Sequence, residues 1–285
     1  MRRLALLACR IVVATCVAGL LLPAATFIVA SFVENDETGG GLSLDALNDL
    51  TIANYSDVAS TLANGDAHDP VRKLFRYFGN TAIVAVCTVA VAVVIGLMGA
   101  YVATRSNFRW ANVIRHVGLW AYVIPPIVLV FPYGHLLSKV RLQGSLIGLL
   151  LAHIAFCTPL ALWLMMQYME SIPRHWDRAA EADGLSCLAA LWYVLLPRVR
   201  TGVAAVATFV ATLSWNDVVL AYVLADDRSK TLGIGIQEAF PNETLSSNST
   251  AAAAILVASV PLVGAVVATY AYVIAHTRRE WGLSS

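Results

Sequence analysis

Charged residues are scarce in this chain of 285 residues: Asp, Glu, Lys and Arg make up only 13%, and the formal net charge is +1. An ordinary soluble domain carries about 25% charged residues. The chain therefore has too few charges to cover a soluble surface, and no charge excess with which to neutralise nucleic-acid phosphates. Because 59% of its residues are apolar, the composition also excludes a disordered or fibrous protein and indicates a protein that lies in a lipid bilayer.

Cysteine clusters and nucleotide-binding loops are also lacking. The five cysteines show no CxxC spacing, and most lie in or beside apolar stretches, which is typical of buried small side chains. No GxxxxGK[ST] segment occurs, so the chain lacks the usual loop that binds ATP phosphates. We therefore predict no metal, no cofactor and no catalytic residue, and we expect any ATP hydrolysis to belong to a separate subunit.

Long uncharged stretches are what the chain has instead. A membrane-spanning helix needs about 20 apolar residues, and six stretches are long enough. We predict an all-α, polytopic membrane protein that forms a single domain over residues 1–285, with spans at residues 11–33, 80–104, 111–136, 144–168, 200–224 and 251–276. A cleaved leader is the alternative for the N-terminus, but the apolar run before Cys9 is shorter than the roughly 7–15 residues of such a leader.

The distribution of basic residues predicts the orientation. With six spans, both termini lie on the same side of the membrane. If that side is the inside, the inside segments hold 12 Lys and Arg residues and the outside segments hold 7, whereas acidic residues number 5 inside and 12 outside. The positive-inside rule favours this arrangement, so both termini are predicted to be cytoplasmic.

The longest predicted cytoplasmic segment is residues 171–197, and its first part is too polar to span a membrane. Ser171 is a candidate N-cap, Pro173 suits the first helical turn, and Gly184 suits the left-handed conformation that ends a helix. We expect a helix of about three turns between them. A second helix, capped by Ser186, is predicted to be interrupted at Pro197.

Two interpretations of the first of these helices remain open. It is an interfacial helix that lies on lipid head groups with Trp176 as its anchor, or a docking helix whose slender face fits a groove on a partner protein. The small residues Ala179 and Ala180 make that face slender. The helix lacks a strong basic face and a continuous apolar face, which weakens the lipid interpretation.

This segment resembles the EAA loop of ATP-binding-cassette importer permeases. The matching pairs are Ile172-Pro173, Ala179-Ala180, Asp183-Gly184 and Leu196-Pro197. Arg178 stands where the family usually has a glutamate, so a salt bridge of that glutamate is not carried over. Other markers resemble the carbohydrate branch of the family, in particular its second, maltose-type permease subunit, and these are Asn54-Tyr55, Asn80-Thr81, Pro125-Pro126, Ser214-Trp215-Asn216-Asp217 and Thr231-Leu232.

The resemblance implies a permease subunit that passes a sugar or oligosaccharide across the bacterial cytoplasmic membrane. It implies three kinds of partner: a second homologous permease subunit, cytoplasmic ATP-binding subunits and an external solute-binding protein. The residues expected to couple this chain to the ATPase are Pro173, Trp176, Ala179, Ala180, Asp183, Gly184 and Pro197. The rival functions are a permease of the same architecture for another solute such as a polyamine and, in other classes, an intramembrane enzyme or a channel.

Four residues are candidates for the solute path: Tyr122, Trp215, Asn216 and Asp217. A carboxylate inside a span is costly and normally faces a cavity or a polar partner. Asn216 and Asp217 are therefore either a polar wall of the path or a structural pair that holds helices together by hydrogen bonds. His153 in the fourth predicted span is expected to be a hydrogen-bonding residue between helices.

Overall fold

The computed structural model describes residues 24–33, 50–64, 69–106, 109–239 and 249–280, and this part of the chain is almost entirely helical. A helical stretch at residues 24–30 comes first. The helices that follow are α1 Ala53–Asn64, α2 Pro70–Arg105, α3 Ala111–Val123, α4 Pro126–Lys139, α5 Leu146–Glu170, α6 His175–Ala182, α7 Cys187–Trp215, α8 Val219–Leu224, α9 Leu232–Ala239 and α10 Ser249–Glu280.

Four helices in the described part are long and apolar enough to cross a membrane, and they are Val71–Arg105, Leu146–Glu170, Cys187–Trp215 and Ser249–Ala275. Many of their outward-facing side chains are large and apolar, Val86 and Val260 among them. Such faces suit contact with lipid chains. The prediction of a helical, polytopic membrane protein is confirmed at this level. Most of the first predicted span, residues 11–33, lies outside the described residues.

The third predicted span differs from the structure. The sequence predicts one helix over residues 111–136, whereas the structure has two helices, α3 and α4, separated at Ile124 and Pro125. Both of these residues have extended backbone, with ψ angles of 119° and 135°. A proline disfavours helical backbone in the residue before it and has no N–H to donate. Two consecutive prolines therefore produce a complete break rather than a kink.

The fifth predicted span, residues 200–224, is also redrawn. Helix α7 begins at Cys187, continues past Pro197 and ends at Trp215, so the predicted interruption at Pro197 is wrong. The turns before Pro197, Ala190–Leu195, widen into a π-helix. Because a proline ring crowds the carbonyl one turn earlier and cannot donate to it, a wider turn at this point lets the helix continue.

The chain divides into two compact units, one formed by the residues up to Arg76 with Gly235–Val260, the other by Tyr77–Ile234 with the residues from Pro261 onward. In the first unit, the buried Asn54 donates from Nδ2 to the carbonyl oxygens of Ser31 (3.0 Å) and Val33 (2.8 Å). These carbonyls follow the helical stretch 24–30. The marker pair Asn54-Tyr55 therefore closes the end of that stretch.

In the second unit, α2, α5 and α7 enclose an apolar core that includes the fully buried Met165, Met166 and Leu195. The backbones approach closely at Gly202, where an added Cβ would lie 2.4 Å from Cγ of Tyr168 on α5. Only glycine permits this contact between α5 and α7. This core lies next to α6 and therefore supports the segment predicted to dock a partner.

Candidate functional site

Helix α6 starts later than the sequence predicts. It runs from His175 to Ala182, and its N-cap is Arg174, which makes no side-chain capping hydrogen bond. Ser171 instead donates from Oγ to the carbonyl oxygen of Tyr168 at 2.7 Å, and it closes the end of α5. The predicted N-cap is therefore wrong, and the helix has about two turns rather than three.

The end of α6 is formed at Gly184. This residue has a φ of +74°, the left-handed region that glycine adopts without strain. Its N–H donates to the carbonyl of Glu181, and the N–H of Leu185 donates to that of Ala180, both at 3.0 Å. These two bonds form a Schellman motif, which satisfies carbonyls that a helix end leaves free. The structure thus has the turn that the sequence predicts at this glycine.

The predicted coupling residues do not all face outward. Pro173, Ala179, Asp183 and Gly184 are exposed, whereas Ala180 is buried against the rest of the unit. Ala180 is therefore a packing residue that lets α6 approach its neighbours closely. The surface that α6 leaves free is formed by the remaining exposed residues.

Trp176 joins α6 to α7. The guanidinium carbon of Arg198 lies 3.5 Å from the centroid of the Trp176 ring, which is a cation–π contact. The ring of His175 lies beside the same tryptophan, at 4.9 Å between centroids. Trp176 is still 37% exposed. Its contact on α7 is with the residue after Pro197, and Pro197 itself is exposed.

The second contact of α6 is made by Arg105, a residue that sequence reasoning missed. Its guanidinium donates from Nη2 to the carbonyl oxygens of Met169 and Ile172, both at 2.8 Å. Nη1 lies 3.4 Å from Oδ2 of Asp177 on α6. The only signal in the sequence is an arginine at the very end of a long apolar stretch. The ion pair of this segment therefore uses Asp177, the residue before Arg178, where the family glutamate is absent.

Asp217 joins α8 to α5, and His153 extends this contact to α7. Its carboxylate accepts hydrogen bonds from the backbone N–H groups of Leu220 (3.1 Å) and Ala221 (3.4 Å), and so caps α8. Oδ2 also lies 3.3 Å from Nε2 of His153 on α5, and Nδ1 of His153 lies 2.8 Å from Oγ of Ser214 on α7. These contacts favour the structural interpretation of Asp217, and they place His153 between helices as predicted.

The same three residue types form catalytic triads in hydrolases. Here the histidine is only 1% exposed, and Ser214 is buried as well. A nucleophile must lie where a substrate can reach it. The arrangement therefore serves helix contact, and it does not favour an intramembrane enzyme.

The other path candidates lie apart from Asp217. Asn216 is exposed and donates from Nδ2 to the carbonyl oxygen of Thr212 at 2.9 Å, which caps the end of its own helix. Trp215 packs edge-on against Phe78, with 5.6 Å between ring centroids. Tyr122 belongs to α3, but its side chain lies outside the described part of the chain.

Trp215 and Phe78 line a cavity of about 510 Å³ between α2, α7 and α10. Most of its other lining side chains are alanine and valine, and Thr208 and Thr269 bring two hydroxyl groups into it. Among the path candidates whose side chains the structure describes, Trp215 lines this cavity.

Two marker pairs of the sequence meet in one contact. Asn80 donates from Nδ2 to the carbonyl oxygens of Arg228 (2.9 Å) and Lys230 (2.8 Å). The adjacent Thr81 accepts through Oγ1 from the N–H of Leu232 at 2.8 Å. These bonds hold the loop between α8 and α9 against α2. The pairs Asn80-Thr81 and Thr231-Leu232 are both visible in the sequence, but the contact between them is seen only in the structure.

The same loop is held against the start of α5. Ser229 donates from Oγ to the carbonyl oxygen of Gly144 at 2.8 Å, and the N–H of Gly144 donates to the carbonyl of Leu224 at 3.0 Å. Desolvation acts to raise the pKa of Asp226, but hydrogen bonds from the Ser229 hydroxyl and from the N–H groups of Arg228 and Ser229 outweigh it, so this pKa lies below its usual range.

Among the described residues, no group of three or more His, Cys, Asp or Glu side chains is arranged to hold a metal ion. The candidate site therefore consists of α6 with its supporting contacts, and of the cavity beside Trp215.

Comparison with known proteins places these features in context. The sequence profile of the family described as binding-protein-dependent transport system inner membrane component matches residues 92–279. A putative ABC transporter permease protein of Streptomyces antibioticus is 30% identical over 178 residues, which is 62% of this chain and 78% of that protein. The trehalose/maltose transport system permease protein MalG of Thermococcus litoralis is 27% identical over 76% of this chain and 74% of that protein.

The diacetylchitobiose uptake system permease protein NgcG of Streptomyces coelicolor is 32% identical over 155 residues, 54% of this chain, and the matched segment spans about half (51%) of that relative's length. Among solved structures, a chain from the crystal structure of a bacterial ABC transporter involved in the import of the acidic polysaccharide alginate has a TM-score of 0.74 with 19% identity. That match covers 95% of this chain and 96% of the other. The two chains therefore share a fold.

Proposed function

Since the chain belongs to the family of inner membrane components of binding-protein-dependent transport systems, we propose that it is the permease subunit of an ATP-driven importer for a sugar or oligosaccharide. The family match carries this proposal, because it spans the helices from α3 to α9 together with α6 and its contacts. Relatives named for trehalose, maltose and diacetylchitobiose support a sugar over a polyamine.

Helix α6 with its flanking turns is the segment that we propose docks onto an ATP-binding subunit. It is short and polar, its Pro173 and Gly184 ends are exposed, and one side is held against α2 and α7. A partner can therefore contact the free side of α6 while the held side follows its movement. The protein's own part is then passive, and ATP hydrolysis takes place in the partner.

The proposed topology keeps six spans with both termini in the cytoplasm. In it, α3 and α4 form one broken span, and α7 with α8 forms another. Arginines lie at the same end as α6, among them Arg105, Arg174 and Arg198, and by the positive-inside rule they support a cytoplasmic position for this end. We expect a second homologous permease subunit and an external solute-binding protein to complete the importer in the bacterial cytoplasmic membrane.

The cavity beside Trp215 is the part of this chain that we propose faces the solute path. Aromatic rings pack well on the apolar faces of sugar rings, and hydroxyl groups such as those of Thr208 and Thr269 hydrogen-bond to sugar hydroxyls. Tyr122 stays a candidate for the same role. Asn216 and Asp217 are assigned to helix ends rather than to the path.

Purification of the tagged chain from its native host tests the proposal. An importer subunit brings an ATPase and a homologous permease with it, and proteoliposomes of this complex take up radiolabelled maltose or trehalose when Mg-ATP and the native external extract are supplied. Purification without any ATPase contradicts the proposal. A complex with its ATPase that takes up spermidine, but neither sugar, contradicts the sugar assignment alone.

A further inference from the structure

We propose that Arg105 is the positioning residue through which movement of α6 reaches α2 and α5. This inference rests on the proposed function, because it concerns how a partner's movement enters the membrane-spanning helices. Arg105 is the last residue of α2, and its side chain is only 7% exposed. From there one guanidinium contacts two other elements at once.

The first element is the end of α5. The carbonyl oxygens of Met169 and Ile172 both accept from Nη2 of Arg105 at 2.8 Å. Helix carbonyls at a C-terminus lack intrahelical partners and carry partial negative charge. A buried cation that donates to both of these carbonyls is held at this place, because moving it away would break two hydrogen bonds to a buried charge.

The second element is α6. Oδ2 of Asp177 lies 3.4 Å from Nη1 of Arg105, and the Asp177 side chain is 16% exposed. Neither carboxylate oxygen of Asp177 has a hydrogen bond within the described part of the chain, so the attraction between the two charges is what joins α6 to this arginine. The same guanidinium therefore holds α5 by hydrogen bonds and α6 by charge.

A reciprocal bond comes from α6 itself. Arg174, the N-cap of α6, donates from Nη2 to the carbonyl oxygen of Thr104, next to Arg105, at 2.9 Å. Arg105 thus donates to the carbonyl of Ile172, two residues before Arg174, and Arg174 donates to the carbonyl of Thr104, the residue before Arg105. Together with the buried Ala180, these contacts make α6 move with the ends of α2 and α5 rather than turn on its own.

The geometry requires arginine specifically. A guanidinium has several N–H donors in a fixed planar arrangement and stays charged when buried, whereas a lysine amine is a single, flexible point charge. Lysine at position 105 retains the attraction to Asp177 but cannot form the same set of bonds to α5. Glutamine loses the charge altogether. The two substitutions therefore separate the contact with α6 from the contact with α5.

The experiment uses the purified complex of the full chain with its co-purifying ATPase, in nanodiscs. All five native cysteines are replaced by alanine, and a bimane fluorophore is attached to Ser138→Cys, an exposed position at the end of α4 remote from α6. Mg-ATP with vanadate traps nucleotide in the ATPase, and the resulting change in bimane emission reports movement at the remote end. No transported solute is needed.

We expect the Arg105→Gln complex to trap as much nucleotide as the complex that has Arg105. Its change in bimane emission falls about tenfold, because buried charge-assisted hydrogen bonds are lost. Arg105→Lys restores part of the response. The matched control is Arg109→Gln, which removes the same charge from an exposed position four residues away. It keeps the full response. A merely structural role would lower assembly and trapping together.

A full emission change in Arg105→Gln at equal trapping overturns the inference. If Arg105→Gln fails to assemble, Arg105→Lys and Asp177→Asn decide in its place, and a full response in both overturns the inference. If the unsubstituted complex traps nucleotide without any emission change, movement does not reach the remote end, and the inference alone fails. If the chain brings no ATPase with it, the proposed function fails, and this inference fails with it.

Discussion

Nε2 of His153 on α5 lies 3.3 Å from Oδ2 of Asp217, a residue in the break that separates α7 from α8. The same carboxylate caps α8 through the N–H groups of Leu220 and Ala221. One buried acidic side chain therefore fixes both the start of a short helix and its position beside α5. This is a reason for a charged residue in an apolar stretch that does not involve the solute.

Replacing Asp217 by alanine is expected to destabilise the protein more than replacing it by asparagine. Alanine removes the acceptor of two backbone N–H groups and the carboxylate beside Nε2 of His153, a cost of about 1–3 kcal/mol for each buried group left unpaired, whereas asparagine keeps an acceptor oxygen. Thermal unfolding in detergent, followed by tryptophan fluorescence, measures the difference. Asn216→Ala is the control, because its side chain is exposed and bonds within α7. Equal stability of Asp217→Ala and the unsubstituted protein would contradict the assignment.

Replacing Gly184 by valine is expected to abolish docking of the ATPase while the chain still inserts. A Cβ at this position has open space around it, so the penalty comes only from the φ of +74°, which a β-branched residue disfavours strongly. Gly184→Asn is the matched control, since asparagine tolerates this backbone region. The measurement is the amount of ATPase that co-purifies with each variant. Undiminished co-purification with the valine variant would argue against α6 as the docking helix.

Replacing Asn80 by alanine is expected to release the loop between α8 and α9. The two carbonyl oxygens of Arg228 and Lys230 then lose their donor, and each lost hydrogen bond costs about 1 kcal/mol. Hydrogen exchange of the N–H of Leu232, which Thr81 accepts, should become faster. Ser138→Ala provides a control on an exposed residue of α4. Unchanged exchange in Asn80→Ala would contradict the role of Asn80 in holding the loop.

Acid is expected to loosen the same loop through Asp226. Because the pKa of this carboxyl is lower in the folded protein than in the unfolded chain, its hydrogen bonds stabilise the fold at all pH values above the unfolded pKa of about 3.9. That stability is lost as the pH falls from about 4 through the folded pKa. Hydrogen exchange of the N–H groups of Arg228 and Ser229 between pH 6 and pH 3 measures the loss. In Asp226→Asn the acid-dependent part should disappear, and its persistence would assign the effect to another group.

Local chemistry explains which parts of α6 and its surroundings were predictable. Gly184 was identified because few residues other than glycine adopt a left-handed turn at a helix end. By contrast, Ser171 is chemically suited to an N-cap of α6 but closes the end of α5 instead, where its hydroxyl donates to the carbonyl oxygen of Tyr168.

Contacts between distant parts of the chain were not predictable. Arg105 and Asp177 are separated by all of α3 to α5 and come together only because α2 and α5 end at the same place. The partnership of Asn80 with Lys230 joins positions 150 residues apart. The continuity of α7 past Pro197 depends on a wide turn that the sequence does not reveal, because a proline alone predicts a break.

The wide turn at Ala190–Leu195 also alters the angular phase of α7. One extra residue in a turn rotates everything after it by about 100° relative to a regular α-helix. In this chain the rotation leaves Arg198 over the Trp176 ring. In a homologue that is one residue shorter in this stretch, the equivalent arginine would point to a different side of the helix. The helix equivalent to α6 would then need a different contact with the helix equivalent to α7.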